Sequence, residues 1–424
     1  MRQIHKGWII LFLLFCTMLG SLGFGRFSLG AILPFMREGL GLDYRHIGLI
    51  ASAAFLGYLV SVSIVGYFVI RFGAKKIINY SMIILAIAMV ICANAHSFWV
   101  AYFGCLLLGI GSGGSSIPAM GLAGRWFSNN KKGMAIGTAM GGLGLGIVIS
   151  GLVVPSIVNI TDEGWRISWY ILSLVTVIFI IINAIYLKNS PEELGIQAIG
   201  EEKSKSDKNS HDASSPPRQN DKWQVYKSKQ IWIIGFIYMS WGFSYLIFST
   251  FLVDYLMKDL DFSKGIAGLF FSIAGLASII SGFVWGGVSD RFGRMFALSF
   301  VLIIQFSMLV ALILSTSTLF IVLEVIFYGL TLWGVPTIMN ASVADFVESS
   351  QVPVAMGFIT IFFSIGQIIS PVITGVVIEM TNDYFVAFLL SAFICLCGAL
   401  GCMKLHLDYQ TKQTNTIKDS RLKA

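Results

Sequence analysis

Gly66-Tyr-Phe-Val-Ile-Arg71-Phe-Gly73-Ala-Lys75-Lys76 is answered 220 positions later by Gly286-Gly-Val-Ser-Asp290-Arg291-Phe-Gly293-Arg294. Gly66, Arg71 and Gly73 recur as Gly286, Arg291 and Gly293. The same offset carries Gly48-Leu49 onto Gly268-Leu269, Gly109 onto Gly329 and Ala135 onto Ala355. It also carries Gly137 onto Gly357, Gly146 onto Gly366 and Ser150 onto Ser370. A register held this far along a chain marks an internal duplication. Both copies lie between long apolar stretches, so the repeated unit is a membrane unit, the kind of duplication on which transporters are built.

The composition fixes the solvent. Hydrophobic residues make up 56% of the 424 and charged residues 12%, against about 25% charged in soluble domains. Apolar stretches long enough to cross about 30 Å of hydrocarbon as helices lie near 8–33, 47–70, 76–95, 98–123, 133–159 and 167–187. A second set lies near 231–257, 265–288, 296–315, 318–343, 353–378 and 383–403. Hydrocarbon offers no partner to a free N–H or C=O, so each stretch must be a helix. The expected fold is an all-α membrane protein with twelve transmembrane helices in two pseudo-symmetric six-helix bundles. The expected division is a first bundle at 1–187, a flexible cytoplasmic linker at 188–230, a second bundle at 231–404 and a polar, frayed cytoplasmic tail at 405–424. The linker is predicted from a run such as Glu201-Glu-Lys-Ser-Lys-Ser-Asp, which has too little apolar surface to offset the entropy of ordering.

Charge sets the orientation. With both termini inside, 23 of the 29 Lys and Arg residues fall on cytoplasmic segments, and only Arg37, Arg45, Arg166, Lys258 and Lys264 on external ones. This obeys the positive-inside rule. It places the chain as a multi-pass protein of a cell membrane, bacterial cytoplasmic by expectation, with both termini cytoplasmic. The net charge of +7 then reflects contact with anionic lipid and not with nucleic acid. The first apolar stretch is too long for a signal peptide's core and is expected to be retained. The six cysteines fall within or at the ends of spans without metal-site spacing, and no metal or cofactor is expected. The histidines (5, 46, 96, 211 and 406) avoid the span interiors, which argues against an enzyme buried in the membrane. A monomer is expected.

The paired loop, the spans and the polar linker together resemble the major facilitator superfamily, whose loop sequence is Gly-x-x-x-Asp-Arg-x-Gly-Arg/Lys. The second copy matches at Gly286, Asp290, Arg291, Gly293 and Arg294; the first has Ile70 at the aspartate position. The resemblance implies that Gly66, Arg71 and Gly73, with the second set, form a conformational latch; a plain membrane-boundary role is the alternative. Gly124-Arg125-Trp126-Phe127, with Lys131-Lys132-Gly133 and Gly137, and the later Gly164-Trp165-Arg166 resemble the oxalate/formate antiporter and monocarboxylate porter branches. The basic residues that the oxalate/formate antiporter carries in helices 8 and 11 are absent here.

One charge lies well inside a span: Arg26, in Gly23-Phe-Gly25-Arg26-Phe-Ser28. A charge there costs roughly 2.5–3.5 kcal/mol on insertion scales, so it needs a partner or a wet cavity. The planar guanidinium suits a carboxylate, sulfonate or phosphate; a structural pairing or snorkelling are the alternatives. Tyr58, Trp241, Tyr245, Trp333, Asn340 and Gln367 are the further substrate-binding candidates, expected between the halves. Glu324 is the proton-coupling candidate, with an interfacial salt bridge as its alternative; Asp254 and Glu379 lie near span ends. The expected function is secondary active transport by alternating access. The expected cargo is a small organic anion, carboxylate or sulfonate, moved with protons or against a counter-anion. Proton-driven efflux of amphipathic drugs is the alternative.

Overall fold

The computed structural model describes residues 5–161, 163–200, 225–348 and 351–423. Among them are 12 helices long and apolar enough to cross a membrane. These are α1 Lys6–Leu40, α2 Tyr44–Phe72, α3 Ala74–Ala93, α4 Phe98–Trp126, α5 Lys131–Val158 and α6 Gly164–Tyr186. They continue with α7 Lys229–Lys258, α8 Lys264–Phe292, α9 Arg294–Leu314, α10 Thr318–Asp345, α11 Val354–Thr381 and α12 Tyr384–Asp408. All twelve expected spans are present, in order, and no sheet is found among the described residues. The helix of α12 continues to Lys423, where a frayed tail was expected.

The duplicated loop has a duplicated backbone. Gly73 stands between α2 and α3 at φ 85° and ψ 151°, and Gly293 between α8 and α9 at φ 92° and ψ 142°. An L side chain is strained at positive φ. The glycine therefore recurs because the chain must break one helix and start the next within a single residue.

Chain contacts divide the molecule into two compact units. Unit 1 holds the first six spans with 246–279 of α7–α8 and 368–387 of α11–α12; unit 2 holds 207–245, 280–367 and 388–424. Within unit 1, the loops at 41–43, 94–97 and 159–163 share one end, called here the far face because it lies opposite Met1.

The 220-residue repeat explains how unit 1 is held. Gly48 of α2 lies against the carbonyl of Pro371 on α11, and Gly268 of α8 against the carbonyl of Gly151 on α5. One turn further on, Ser52 Oγ donates to the carbonyl of Ile368 (2.6 Å) and Ser272 Oγ to that of Val148 (2.9 Å). Each residue of one pair is the repeat image of a residue in the other. Small residues let helix backbones touch, and the hydroxyl then bonds across the gap. Inside unit 2 a related crossing places Gly366 of α11 against the carbonyl of Met239 on α7, the counterpart of Gly146 of α5 against Gly23 of α1 in unit 1.

The start of the expected linker is anchored, a correction to the boundary at 188. Lys75 N donates to Asn189 Oδ1 (2.8 Å), so Asn189 caps the first turn of α3, and Asn189 Nδ2 donates to Glu193 Oε1 (3.0 Å). Trp126 Nε1 donates to the Lys188 carbonyl (3.2 Å), and Ile199 and Ser128 extend the join by backbone bonds to Trp126 and Ile199 respectively. Polar composition signals low burial; it does not reveal a few well-placed caps. The middle of the linker, 201–224, lies outside the described residues.

Candidate functional site

α1 does not cross as a uniform α-helix. Leu19–Phe27 forms π-helical turns, closed by Ser28 N on the Gly23 carbonyl. Glycines 20, 23 and 25 weaken the α-helical ladder in this stretch. Gly23 lies against Gly146 of α5, and Gly25 against Leu85 of α3. A π-turn inserts one extra residue and re-aims the side chains that follow, and such turns concentrate at functional sites. Here the re-aimed side chain is Arg26.

Arg26 is 6% exposed. Its guanidinium carbon lies 4.3 Å from the ring centre of Phe55 and 4.2 Å from that of Tyr58, with Phe27 at 5.8 Å. Phe55 and Tyr58 sit one turn apart on α2, which puts both rings on one face. Desolvated cation–π contacts stabilise by about 2 kcal/mol each, the size of the insertion cost. They satisfy charge but not donors. Nε and Nη2 are buried without a hydrogen-bond partner, and among the described residues Arg26 forms no ion pair. Those two nitrogens are the parallel donors of one guanidinium edge, the fork that receives a carboxylate, sulfonate or phosphate side-on. Ser28, beside it, donates its hydroxyl to the Phe24 carbonyl.

Four of the other candidates meet in unit 2. Trp241 and Tyr245 on α7 stack at 4.5 Å, with planes 14° apart, and Trp333 of α10 stands edge-on to both, at 6.5 and 6.2 Å. Gln367 of α11 donates to the Tyr245 hydroxyl. The sequence reasoning missed three members of these groups: Phe55, and Tyr238 and Phe363, which stack on each other at 4.5 Å beside Trp241. Helical spacing was the available signal, since Phe55 precedes Tyr58, and Tyr238 precedes Trp241, by one turn. Asn340 is exposed and makes no side-chain bond to the aromatic group among the described residues.

Glu324 is held by a hydroxyl and not by a cation: Ser315 Oγ donates to Oε1 (2.5 Å), while Oε2 is buried without a partner. In the loop motif, Arg71 and Arg291 lie over the next residue's ring in both copies, Phe72 at 5.3 Å and Phe292 at 5.5 Å. Asp290 is exposed and forms no ion pair among the described residues; Arg294 bonds instead to the Ala341 carbonyl and to Asp345 Oδ1 (2.9 Å). Ile70, at the aspartate position of the first copy, is 90% exposed. Arg166 donates to the Ala93 and Ala95 carbonyls (2.8 and 2.5 Å) at the end of α3, a structural reason for that basic residue. Among the described residues no group of His, Cys, Asp and Glu could hold a metal ion.

Comparison with known proteins bears on the whole chain. Residues 13–341 and 325–422 match the family model of the Major Facilitator Superfamily. The chain is 24% identical over 394 residues to a probable sulfoacetate transporter of Cupriavidus necator, covering 89% of each chain. It is 25% identical over 413 residues to the hexuronate transporter of Bacillus subtilis, covering 93% of each. A crystal structure of a nucleoside transporter superposes with a TM-score of 0.77 at 14% identity, over 93% of this chain and 99% of that one, a likeness of fold. With its duplicated loop and twelve spans, the chain belongs to the Major Facilitator Superfamily, a family of membrane transporters and not of enzymes.

Proposed function

We propose that this chain carries a small organic anion across a cell membrane, with Arg26 receiving the carboxylate or sulfonate. The observation that carries the proposal is the unpartnered Nε/Nη2 edge of Arg26, buried between Phe55 and Tyr58. Two charge-assisted donors left dry are costly, and an anion with two coplanar oxygens satisfies both. Tyr58, at the guanidinium face, fixes the plane in which the anion must lie. The relatives named for sulfoacetate and hexuronate support this reading, since both compounds are organic anions. Trp241, Tyr245, Trp333 and Gln367 offer stacking faces and a polar group for the rest of the substrate, with Asn340 as a further polar contact. Movement is coupled to a proton or to a counter-anion, and the unpartnered Oε2 of Glu324 is a place for that proton. The paired loops act as the latch of the alternating cycle, and the bias of basic residues puts both termini in the cytoplasm.

The test is a pair of variants with two readouts. Each charged hydrogen bond stabilises by about 1.5–3 kcal/mol, so losing both lowers anion affinity by about 100-fold or more. Arg26→Ala is expected to abolish uptake of sulfoacetate and of a hexuronate into proteoliposomes, and Arg26→Lys to keep the charge but lose the fork and most of the uptake. Without anion, Arg26→Ala is expected to melt no lower than the wild type, because an unpaired buried charge has been removed. A variant that melts much lower yet still takes up anion would mean that Arg26 is structural.

A further inference from the structure

At the far face of unit 1 a second set of buried charges is unconnected with Arg26. Asp254, near the end of α7, is 3% exposed. Its Oδ2 accepts the hydroxyl of Tyr384, the first residue of α12, and lies 3.9 Å from Arg37 Nε of α1. Its Oδ1 is buried without a partner, as are Arg37 Nε and Nη2. At 3.9 Å the two charges attract without a hydrogen bond. Tyr44, the first residue of α2, lies under the Arg37 guanidinium at 4.3 Å and edge-on to Tyr384 at 5.8 Å.

The surrounding charges are otherwise engaged. Glu38 of α1 lies 3.6 Å from Arg37 Nη2 and 3.5 Å from Lys258 Nζ of α7, and is itself half exposed. Glu379 of α11 accepts from Tyr44 N (3.0 Å), Asp259 from Tyr384 N (3.2 Å), and Asp383 from Phe385 N (2.7 Å). Among these carboxylates, Asp254 combines deep burial, an oxygen without a donor and a cation that it holds by charge alone. It joins α1 to α7 and α12 at the face where the duplicated crossings also close.

We propose that Asp254 is a proton-binding bolt for this face. Ionised, it is the buried counter-charge of Arg37 and keeps α1, α7 and α12 together. When a proton from water on that side forms an O–H bond at Oδ1, the carboxylate charge is gone and Arg37 loses its buried partner. Removing one member of a buried pair is strongly destabilising, so the helices part and Arg37 regains water. The closure is thereby made sensitive to acid on one side of the membrane. This inference rests on alternating access and not on the anion site, so Arg26 can fail its own test while the bolt stands.

The test is the distance between spin labels on Arg45→Cys and Gly265→Cys, both exposed, in a Cys397→Ser background, since the other five native cysteines are buried. The wild type is expected to show a longer-distance population that grows at least tenfold between pH 8 and pH 5. Asp254→Asn is expected to show that population at both pH values. Tyr384→Phe removes one donor from the ionised form and is expected to move the opening midpoint up by about one pH unit. Glu324→Gln and Arg26→Ala should respond as the wild type does. A wild type indifferent to pH, an Asp254→Asn variant that still responds, or a Glu324→Gln variant that does not, overturns the proposal. Should Asp254→Asn not fold, an unshifted midpoint in Tyr384→Phe overturns it equally.

Discussion

Adding one methyl group at Gly48, or at its repeat image Gly268, should weaken the same closure by the same route. A Cβ at Gly48 would fall 2.2 Å from the Pro371 carbonyl oxygen, and a Cβ at Gly268 would fall 2.2 Å from that of Gly151. Carbon and carbonyl oxygen sit comfortably at about 3.3 Å or beyond, so each crossing must widen by about 1 Å. The obstacle is backbone within a helix, which has no rotamer by which to withdraw. Overpacking of this kind costs about 1–3 kcal/mol, which changes the ratio of closed to open molecules by roughly 5- to 150-fold. The widening also stretches the adjacent Ser52 and Ser272 bonds. Gly48→Ala and Gly268→Ala, measured at one pH with the far-face label pair, should each raise the long-distance population to a similar extent. Gly121→Ala, whose added carbon meets open space, should leave it unchanged. An unaltered distribution in both variants, or a shift in one alone, would refute the reasoning, because the two sites present the same obstacle.

Two further outcomes are expected at the edges of unit 1. Asn189→Ala should lower stability by about 1 kcal/mol, seen as a drop in the melting temperature of the purified protein. An unchanged melting point would mean that the Lys75 amide is served equally well by water. Burial alone would raise the Asp43 carboxyl, but the His46 amide and ring, with Arg45 nearby, outweigh it and hold the carboxyl below its ordinary value. A depressed carboxylate contributes stability above its unfolded value of about 3.9, and that stability disappears as pH falls through the folded value. The melting difference between wild type and Asp43→Asn should therefore be present at pH 6 and vanish below pH 3. A difference that persists in acid would assign the effect to the Asx cap and not to charge.

Much of the fold was legible because its cause is local. Span length follows from hydropathy, and the glycines of the paired loops are required by a backbone angle that recurs at Gly73 and Gly293. Arg26 was legible for a thermodynamic reason, since a charge inside a span announces itself in composition. Its partners were only half legible. Tyr58 stands out as polar, while Phe55 looks like any lipid-facing aromatic until α2 is folded against α1. The far-face charges were seen singly and not as a group. Arg37 and Lys258 counted as markers of a membrane boundary, and nothing in the spacing of Arg37, Asp254 and Tyr384 indicates that they meet. The anchoring of 188–200 escaped notice for the same reason: its caps depend on where α3 and α4 end, not on how polar the segment is.

The division between what is duplicated and what is not has a mechanical consequence. Gly48 with Pro371 and Gly268 with Gly151, like Ser52 with Ile368 and Ser272 with Val148, are contacts of backbone carbonyls with small or hydroxyl side chains. None of these groups titrates in water's accessible range, so the duplicated crossings close unit 1 equally well at any pH and whatever anion is present. Sensitivity must come from residues without a counterpart. The position equivalent to Arg26 is Leu246, that of Asp254 is Pro34, and that of Arg37 is Met257. Because a ligand or proton shifts a conformational balance only by the difference in its affinity for the two states, a closure built from the symmetric contacts alone could not be coupled to anything. The duplicated contacts hold the closed far face near balance, and the unpaired charges are what a proton or an anion can act upon.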